Sequence, residues 1–392
     1  MKKRRLQIIA VIMITAVTLL FSSFGRVLDI DDRVLVHAMG IDFANGEYNV
    51  TLQVFTTQGM GSDTPVDVSQ SNIQVISRKG KTVREAIDGC QYELGKEIFL
   101  GHLQLICFGN TVDFSNPEEL FSFAIKDKNV FLGVKLCMTE NTAEELMNVQ
   151  LTRGTMSSEN FTKVIDMGVK NCITVECRLI DFLSCINSPQ YVAMPILTEE
   201  QSAESGGSQE QQGGQASGQG GGQEQNSRQE PVIKISGTAL IKNGEVLDDY
   251  LTHSEASGTA WLMGKAKQYD MVIEYENRRL DVKVTNDGRK IKLENKNGEL
   301  IYKADITVLA HASMDVRTEE DSEKIAKLVN EQLKDYFYSA WDKTVKQNGE
   351  DIFGIWKMLR HQYPKSYMEY EDRLDEIYSA VKLNANIKCR VE

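Results

Sequence analysis

The chain has 392 residues, 41% of them hydrophobic and 26% charged, which is enough apolar material for two or three ordinary cores. Its 56 acidic residues against 44 basic ones give a formal charge of −12 and exclude a nucleic-acid footprint built on clustered Lys and Arg. Six prolines and 8% aromatic residues exclude collagen-like and mucin-like chains, while leaving both enzymes and binding modules open.

Lys2, Lys3, Arg4 and Arg5 crowd the N-terminus, so the remainder carries −12 less these four charges, or −16. Behind them Leu6 to Phe24 is an uncharged run of 19 residues. As a helix it is about 28 Å long at roughly 1.5 Å per residue, which crosses a bilayer. The basic tip keeps the N-terminus in the cytoplasm and sends the body outside. Ser23 and Gly25 would stand at −3 and −1 of a signal-peptidase site before Arg26, without the usual Ala pair, and a retained anchor is the favoured reading.

From residue 26 to 200 strands and helices alternate in a mixed α/β pattern. Arg33 to Asp42 and Glu47 to Thr56 form a hairpin around Ala44-Asn45-Gly46, and Ile73 to Ser77 is a third strand. Helices are expected over Thr82 to Leu94, Pro117 to Lys126, from Asn141 or Thr142 to Asn148, Ser157 to Met167 and Thr174 to Ile186. Leu103 to Phe108 and Val130 to Met138 read as apolar strands. In residues 201–230, 22 of 30 are Gly, Gln or Ser with no aromatic or branched aliphatic side chain, so this stretch is a linker with nothing to build a core from. It either joins separate domains or forms one tolerant loop.

A second mixed α/β region follows over 231–312. It has a hairpin of Val232 to Ile241 and Glu245 to Leu247, a helix over Ser254 to Lys265, and strands at Met271 to Glu276, Leu280 to Val284, Lys290 to Leu293 and Ile301 to Ala312. The C-terminal region, 313–392, is helix-rich. Glu319, Glu320 and Asp321 open a long helix to about Gln347 with an apolar stripe of Ile325, Leu328, Val329, Leu333, Phe337, Trp341 and Val345. A short helix from Ile352 to His361 and a strand from Val381 to Val391 complete the chain.

A catalytic constellation is not legible. GxSxG, HExxH, a dinucleotide-binding GxGxxG and an EF-hand loop are all absent. The phosphate-loop-like Gly89 to Lys96 has five residues between its glycines and Glu97 where Ser or Thr would hold magnesium, so Gly95 reads as a helix C-cap. The five histidines stand at least 50 residues apart, so any site built on them needs tertiary folding. Cys172, Cys177 and Cys185 lack CxxC spacing, and the seven cysteines read as buried apolar thiols. Acidic clusters at Asp29, Asp31 and Asp32 and at Glu371, Asp372, Asp375 and Glu376 read as solvated faces. No cofactor, metal or catalytic residue is expected.

Four separated stretches resemble the Ger(x)C family, the C-subunits of nutrient germinant receptors of endospore-forming bacteria. Met39-Gly40-Ile41-Asp42 with Tyr48 to Val54 is similar to its opening hairpin, and Phe99-Leu100-Gly101-His102-Leu103 to its Gly-His-Leu strand entry. Gly237-Thr238-Ala239-Leu240-Ile241-Lys242, with Leu247, Leu251, Glu255, Gly258, Trp261, Leu262, Gly264 and Lys265, resembles its most recognisable block. Asp351-Ile352-Phe353-Gly354, Pro364-Lys365 and Asp375 to Tyr378 resemble a third.

The resemblance implies a non-enzymatic, extracytoplasmic subunit of three mixed α/β domains. It would act in spore germination beside polytopic A- and B-type subunits at the spore inner membrane. It also implies structural roles: a tight strand entry at Gly101, a hydrogen bond rather than a ligand role for His102, core filling by Trp261, and a helix cap at Asp351. Two departures stand out. Family members are typically lipoproteins, but Ser22-Ser23-Phe24-Gly25-Arg26 has no cysteine and the first is Cys90. No N-terminal lipidation is therefore expected, and Leu6 to Phe24 serves as the anchor instead. Tyr367 and Leu374 stand where the family usually has Trp. The alternative reading is a solitary exported solute-binding or cell-envelope scaffold protein; a secreted hydrolase using dispersed carboxylates is the third.

Overall fold

The structure is a computed structural model that describes residues 4, 11–16, 32–55, 73–149, 157–185, 191–201, 231–242, 244–247, 249–314, 316, 318–349 and 351–392. Of the N-terminal apolar run only 11–16 is described. That piece is helical, with the Thr15 hydroxyl donating to the Val11 carbonyl at 2.8 Å. No helix among the described residues is long and apolar enough to cross a membrane. The linker over 202–230 lies outside the described residues.

Among the described residues the first sheet has nine strands. β1 (Arg33–Ala44) and β2 (Glu47–Phe55) form a hairpin whose turn residues Asn45 and Gly46 take φ of 56° and 80°. Positive φ at both central positions matches the twist of the flanking strands and explains the Asn-Gly pair. β3 (Ile73–Gly80) pairs with β2, and β4 (Glu97–Phe99) and β5 (Leu105–Phe108) run parallel to β1. β6 (Lys135–Thr139), β7 (Val192–Gln201), β8 (Pro231–Lys242) and β9 (Glu245–Val246) extend the sheet beyond β5.

Both faces of this sheet are covered, as a parallel core requires. On one face lie α1 (Val83–Leu94), α2 (Pro117–Leu120), α3 (Ser122–Lys126) and α6 (Leu179–Leu183). On the other lie α4 (Ala143–Asn148) and α5 (Ser157–Lys170). α1 starts on the Thr82 hydroxyl and stops at Gly95, whose φ of 62° ends the helix.

β7 and β8 pair antiparallel from Val192 opposite Ile241 to Gln201 opposite Pro231. The Gly/Gln/Ser stretch therefore joins two neighbouring strands of one sheet, the single-loop alternative. Because β1, β5, β6 and β7 all run the same way, Arg33 opens the sheet at the end opposite this loop.

The second sheet has four strands: β10 (Gln268–Tyr275), β11 (Arg278–Lys296), β12 (Glu299–Ala312) and β13 (Lys382–Val391), with β13 parallel to β12. α7 (His253–Met263) and α8 (Glu319–Trp341) pack on each other, and α8 buries Ile325, Val329, Leu333, Phe337 and Trp341. α8 runs into a π-helical segment, Asp342–Gln347, followed by α9 (Ile355–Gln362), α10 (Pro364–Tyr370) and α11 (Leu374–Ala380).

Several expected elements differ. Of the helix expected over Thr174 to Ile186, the described residues 174–185 are helical only over α6, because Thr174 shares a 2.7 Å hydrogen bond with Thr238 and the Cys177 carbonyl accepts from Leu136, which keeps 174–178 extended; Ile186 lies outside the described residues. The strand expected from Val130 begins at Lys135. The two strands expected at Leu280 to Val284 and Lys290 to Leu293 are one, β11, kinked by a bulge between Asn286 and Gly288. α9 begins at Ile355 rather than Ile352. β7 was not foreseen, because Pro195 interrupts a run buried on both faces and no alternation marks it.

Candidate functional site: capping aspartates and the junction of the sheets

Asp42 sits near the end of β1 with its carboxylate buried. Its Oδ1 accepts the Ala143 N–H at 2.7 Å and its Oδ2 the Glu144 N–H at 3.0 Å, so it holds the first turn of α4 from across the sheet. Burial pushes the carboxyl up from its ordinary value, and these two N–H bonds pull it back. Gly40 lets α4 lie directly on β1: a Cβ there would stand 2.9 Å from Met147 Cγ and 3.2 Å from the Ala143 carbonyl oxygen.

Gly101 and His102 belong to the 3-10 turn Leu100–His102, and a Cβ on Gly101 would run into the Phe99 ring. The expected hydrogen bond of His102 is corrected. Its side chain is exposed and makes none among the described residues; instead its ring stands 6.2 Å from His37 and 6.0 Å from Phe99. The histidines sequence spacing kept apart are thus brought together in one pair. Burial, and then His102, hold the His37 imidazole below its ordinary range, against an opposing pull from Glu159. Among the described residues no group of three or more His, Cys, Asp or Glu is placed to hold a metal.

The residues around α7 form the junction between the sheets. Thr252 and Glu255 make a capping box: the Thr252 N–H donates to Glu255 Oε2 at 2.8 Å, and the Glu255 N–H to the Thr252 hydroxyl at 3.4 Å. The same Glu255 carboxylate meets Lys343 of the π-helical segment at 3.3 Å. Lys343 Nζ also donates to Asp249 at 2.9 Å and to the Tyr250 carbonyl at 2.6 Å. Desolvation alone would lower the pKa of this buried ammonium, yet its bonds to Asp249 and Glu255 outweigh it and hold the group above its ordinary value. All three of its donors are engaged, fastening the end of α8 to the start of α7 and to the segment that follows β9.

Gly258 faces α8, where a Cβ would run into the Tyr336 carbonyl oxygen and meet Ala340 Cβ at 2.9 Å. Trp261 is fully buried, 6.4 Å from Phe337. Gly264 ends α7 at φ 72°, with the Arg289 guanidinium packed where its Cβ would be. Gly237 lies in β8 beside the bulge between Ile196 and Leu197, 3.4 Å from the Leu251 carbonyl oxygen by its virtual Cβ.

Asp351 has no exposed surface, and its two oxygens accept the N–H groups of Ile355 and Trp356 at 2.8 Å each. It caps α9 from four residues upstream, with Gly354 at φ 76° making the intervening turn. The Asp351 carbonyl also accepts the Tyr191 N–H at 3.2 Å, which ties this cap to the start of β7. Pro364 opens α10, where a missing N–H costs nothing. Tyr367 and Leu374 are both buried in the second core. Cys107 and Cys137 stand opposite each other across β5 and β6, where burial raises the Cys107 thiol.

Sequence reasoning missed Lys343, which reads as one of the charges opposite the α8 stripe; its neighbours Thr344 and Val345, both buried, are the signal that marks it. It also missed His37 beside His102, for which no local signal exists.

These features define a class: a mixed α/β body of two sheets whose motif residues spend their polar atoms on helix caps and on the junction. Residues 26–199 match the family model described as spore germination protein N-terminal domain, and residues 236–392 the one described as spore germination B3/GerAC like, C-terminal. The chain therefore belongs to the Ger(x)C family of germinant-receptor C-subunits, proteins of spore germination. Among solved structures it is similar to the crystal structure of the GerBC protein. The TM-score is 0.56 at 15% identity, covering 90% of this chain and 96% of that one, a likeness of fold. No curated protein matches the chain.

Proposed function

We propose that the protein is a non-enzymatic accessory subunit of a nutrient germinant receptor. The run Leu6 to Phe24 tethers it to the spore inner membrane with its body outside, and it acts through contacts with polytopic A- and B-type subunits. The observation that carries this reading is the family match over 26–199 and 236–392, immediately behind an uncharged run with a basic tip. The use of Asp42, Glu255 and Asp351 on the protein's own N–H groups and on Lys343 supports a scaffold role for these residues.

The tether is tested by exchanging residues 1–25 for a cleavable signal peptide. The expected outcome is that the released body accumulates while nutrient-triggered germination is lost. Germination at the wild-type rate with a fully released body would end the tethered reading.

A further inference from the structure

Five exposed apolar side chains of the first sheet and its helices, Tyr92, Ile125, Phe131, Leu132 and Ile180, lie toward the end where the chain enters it, while Val232 is exposed at the other end and Met167 on α5. Arg33 begins β1 at the entry end, paired with Glu97 of β4. The loop leading into β6 reaches the same end, and Ile180 is laced to it by a 2.9 Å hydrogen bond from its N–H to the Leu132 carbonyl. Phe131, Leu132 and Ile180 are 69%, 40% and 41% exposed side by side. Ile125, at the end of α3 just before this loop, is 55% exposed. α1 packs against α3 and brings Tyr92 to this end, its neighbour Gln91 accepting the Ile98 N–H of β4 at 3.2 Å.

Two lysines frame the apolar group. Lys126 and Lys128 are exposed and make no ion pair among the described residues, while Asp127 between them turns its carboxylate to the Asn129 N–H at 2.9 Å. Lys126 and Lys128 thus set two positive charges beside exposed Phe, Leu and Ile. This is the side-chain chemistry of an interfacial membrane contact.

The chain itself says what lies opposite. Eight residues, 25–32, lie between Phe24 and Arg33, a reach of at most about 30 Å when fully extended. We infer that this end of the first sheet is a docking face for an anionic bilayer surface, with Phe131, Leu132 and Ile180 seated at headgroup level and Lys126 and Lys128 on lipid phosphates. The inference rests on the tethered reading, since it is the membrane-crossing run that brings this end to the bilayer. Docking would fix the body's orientation and leave the β7–β8 loop at the far end of the sheet.

The test uses the full-length protein reconstituted into phosphatidylglycerol/phosphatidylcholine vesicles with lipids brominated near the headgroup. A tryptophan is placed by Phe131→Trp at the face, or by Glu47→Trp at the exposed hairpin on the opposite end. The expected result is a blue-shifted emission quenched by brominated lipid for F131W and no added quenching for E47W. Lys126→Glu with Lys128→Glu should reduce the F131W quenching. Vesicle flotation after a high-salt wash reads the tether separately. Flotation without F131W quenching would overturn the docking face alone, and failure to float would overturn the tether and the face together.

Discussion

Asp42 and Asp351 perform one task at two places, each holding the first N–H groups of a helix from a position outside it. Asp351 is the more deeply buried, and desolvation pushes its carboxyl from 3.8 up to about 6, against backbone N–H bonds that pull it down. Between about pH 4 and 6 the unfolded chain has lost this proton while the folded chain keeps it, so stability from this group falls as pH rises through that window. Asp351→Asn should remove that component from the pH dependence. It should also cost about 1–2 kcal/mol at neutral pH, because an amide presents only one acceptor to two N–H donors. Denaturant titrations of both proteins from pH 4 to 8 check this, and parallel curves would contradict it. The sequence alone points to Asp351 as a cap through the family pattern, but its burial comes from Tyr191 and the second core, partners far away in the chain.

α7 and α8 meet at a point where only a hydrogen fits. Gly258→Ala should gain up to about 1 kcal/mol of helix propensity, yet destabilise the protein by about 2 kcal/mol net, because the new methyl meets the backbone of Tyr336. Chemical denaturation of the variant decides; a more stable protein would contradict the close packing of these helices. Elements with a local signature were legible: Asn45-Gly46 marks the β1–β2 hairpin, Thr82 and Gly95 bracket α1, and the stripe of α8 gives its buried face. Those defined by distant partners were not. β7 exists because β6 and β8 flank it, and residues 174–178 stay extended because Thr238 and Leu136 claim their polar groups.

At the scale of the whole molecule, the composition break at residue 201 reads equally well as a domain boundary or a loop, and strand pairing across it selects the loop. Limited proteolysis should cut first within 201–230 and leave two fragments that stay together on a sizing column under native conditions, held by the β7–β8 ladder and the shared cores. Fragments that separate without denaturant would contradict the continuity of the first sheet. Lys343, Asp351 and α7 join the two sheets, and the motif blocks of the sequence fall largely at these joints. The blocks thus mark the joints that hold the body together.

A tethered receptor subunit should leave the membrane in the company of its partner and with its N-terminal run intact. Affinity purification of the tagged full-length protein from detergent-solubilised membranes of sporulating cells, with the mass of its N-terminus, tests this most directly. Recovery of a multi-spanning partner together with an uncut Met1 end is the predicted result. Recovery of the protein alone in the soluble fraction, beginning near Arg26, would contradict it.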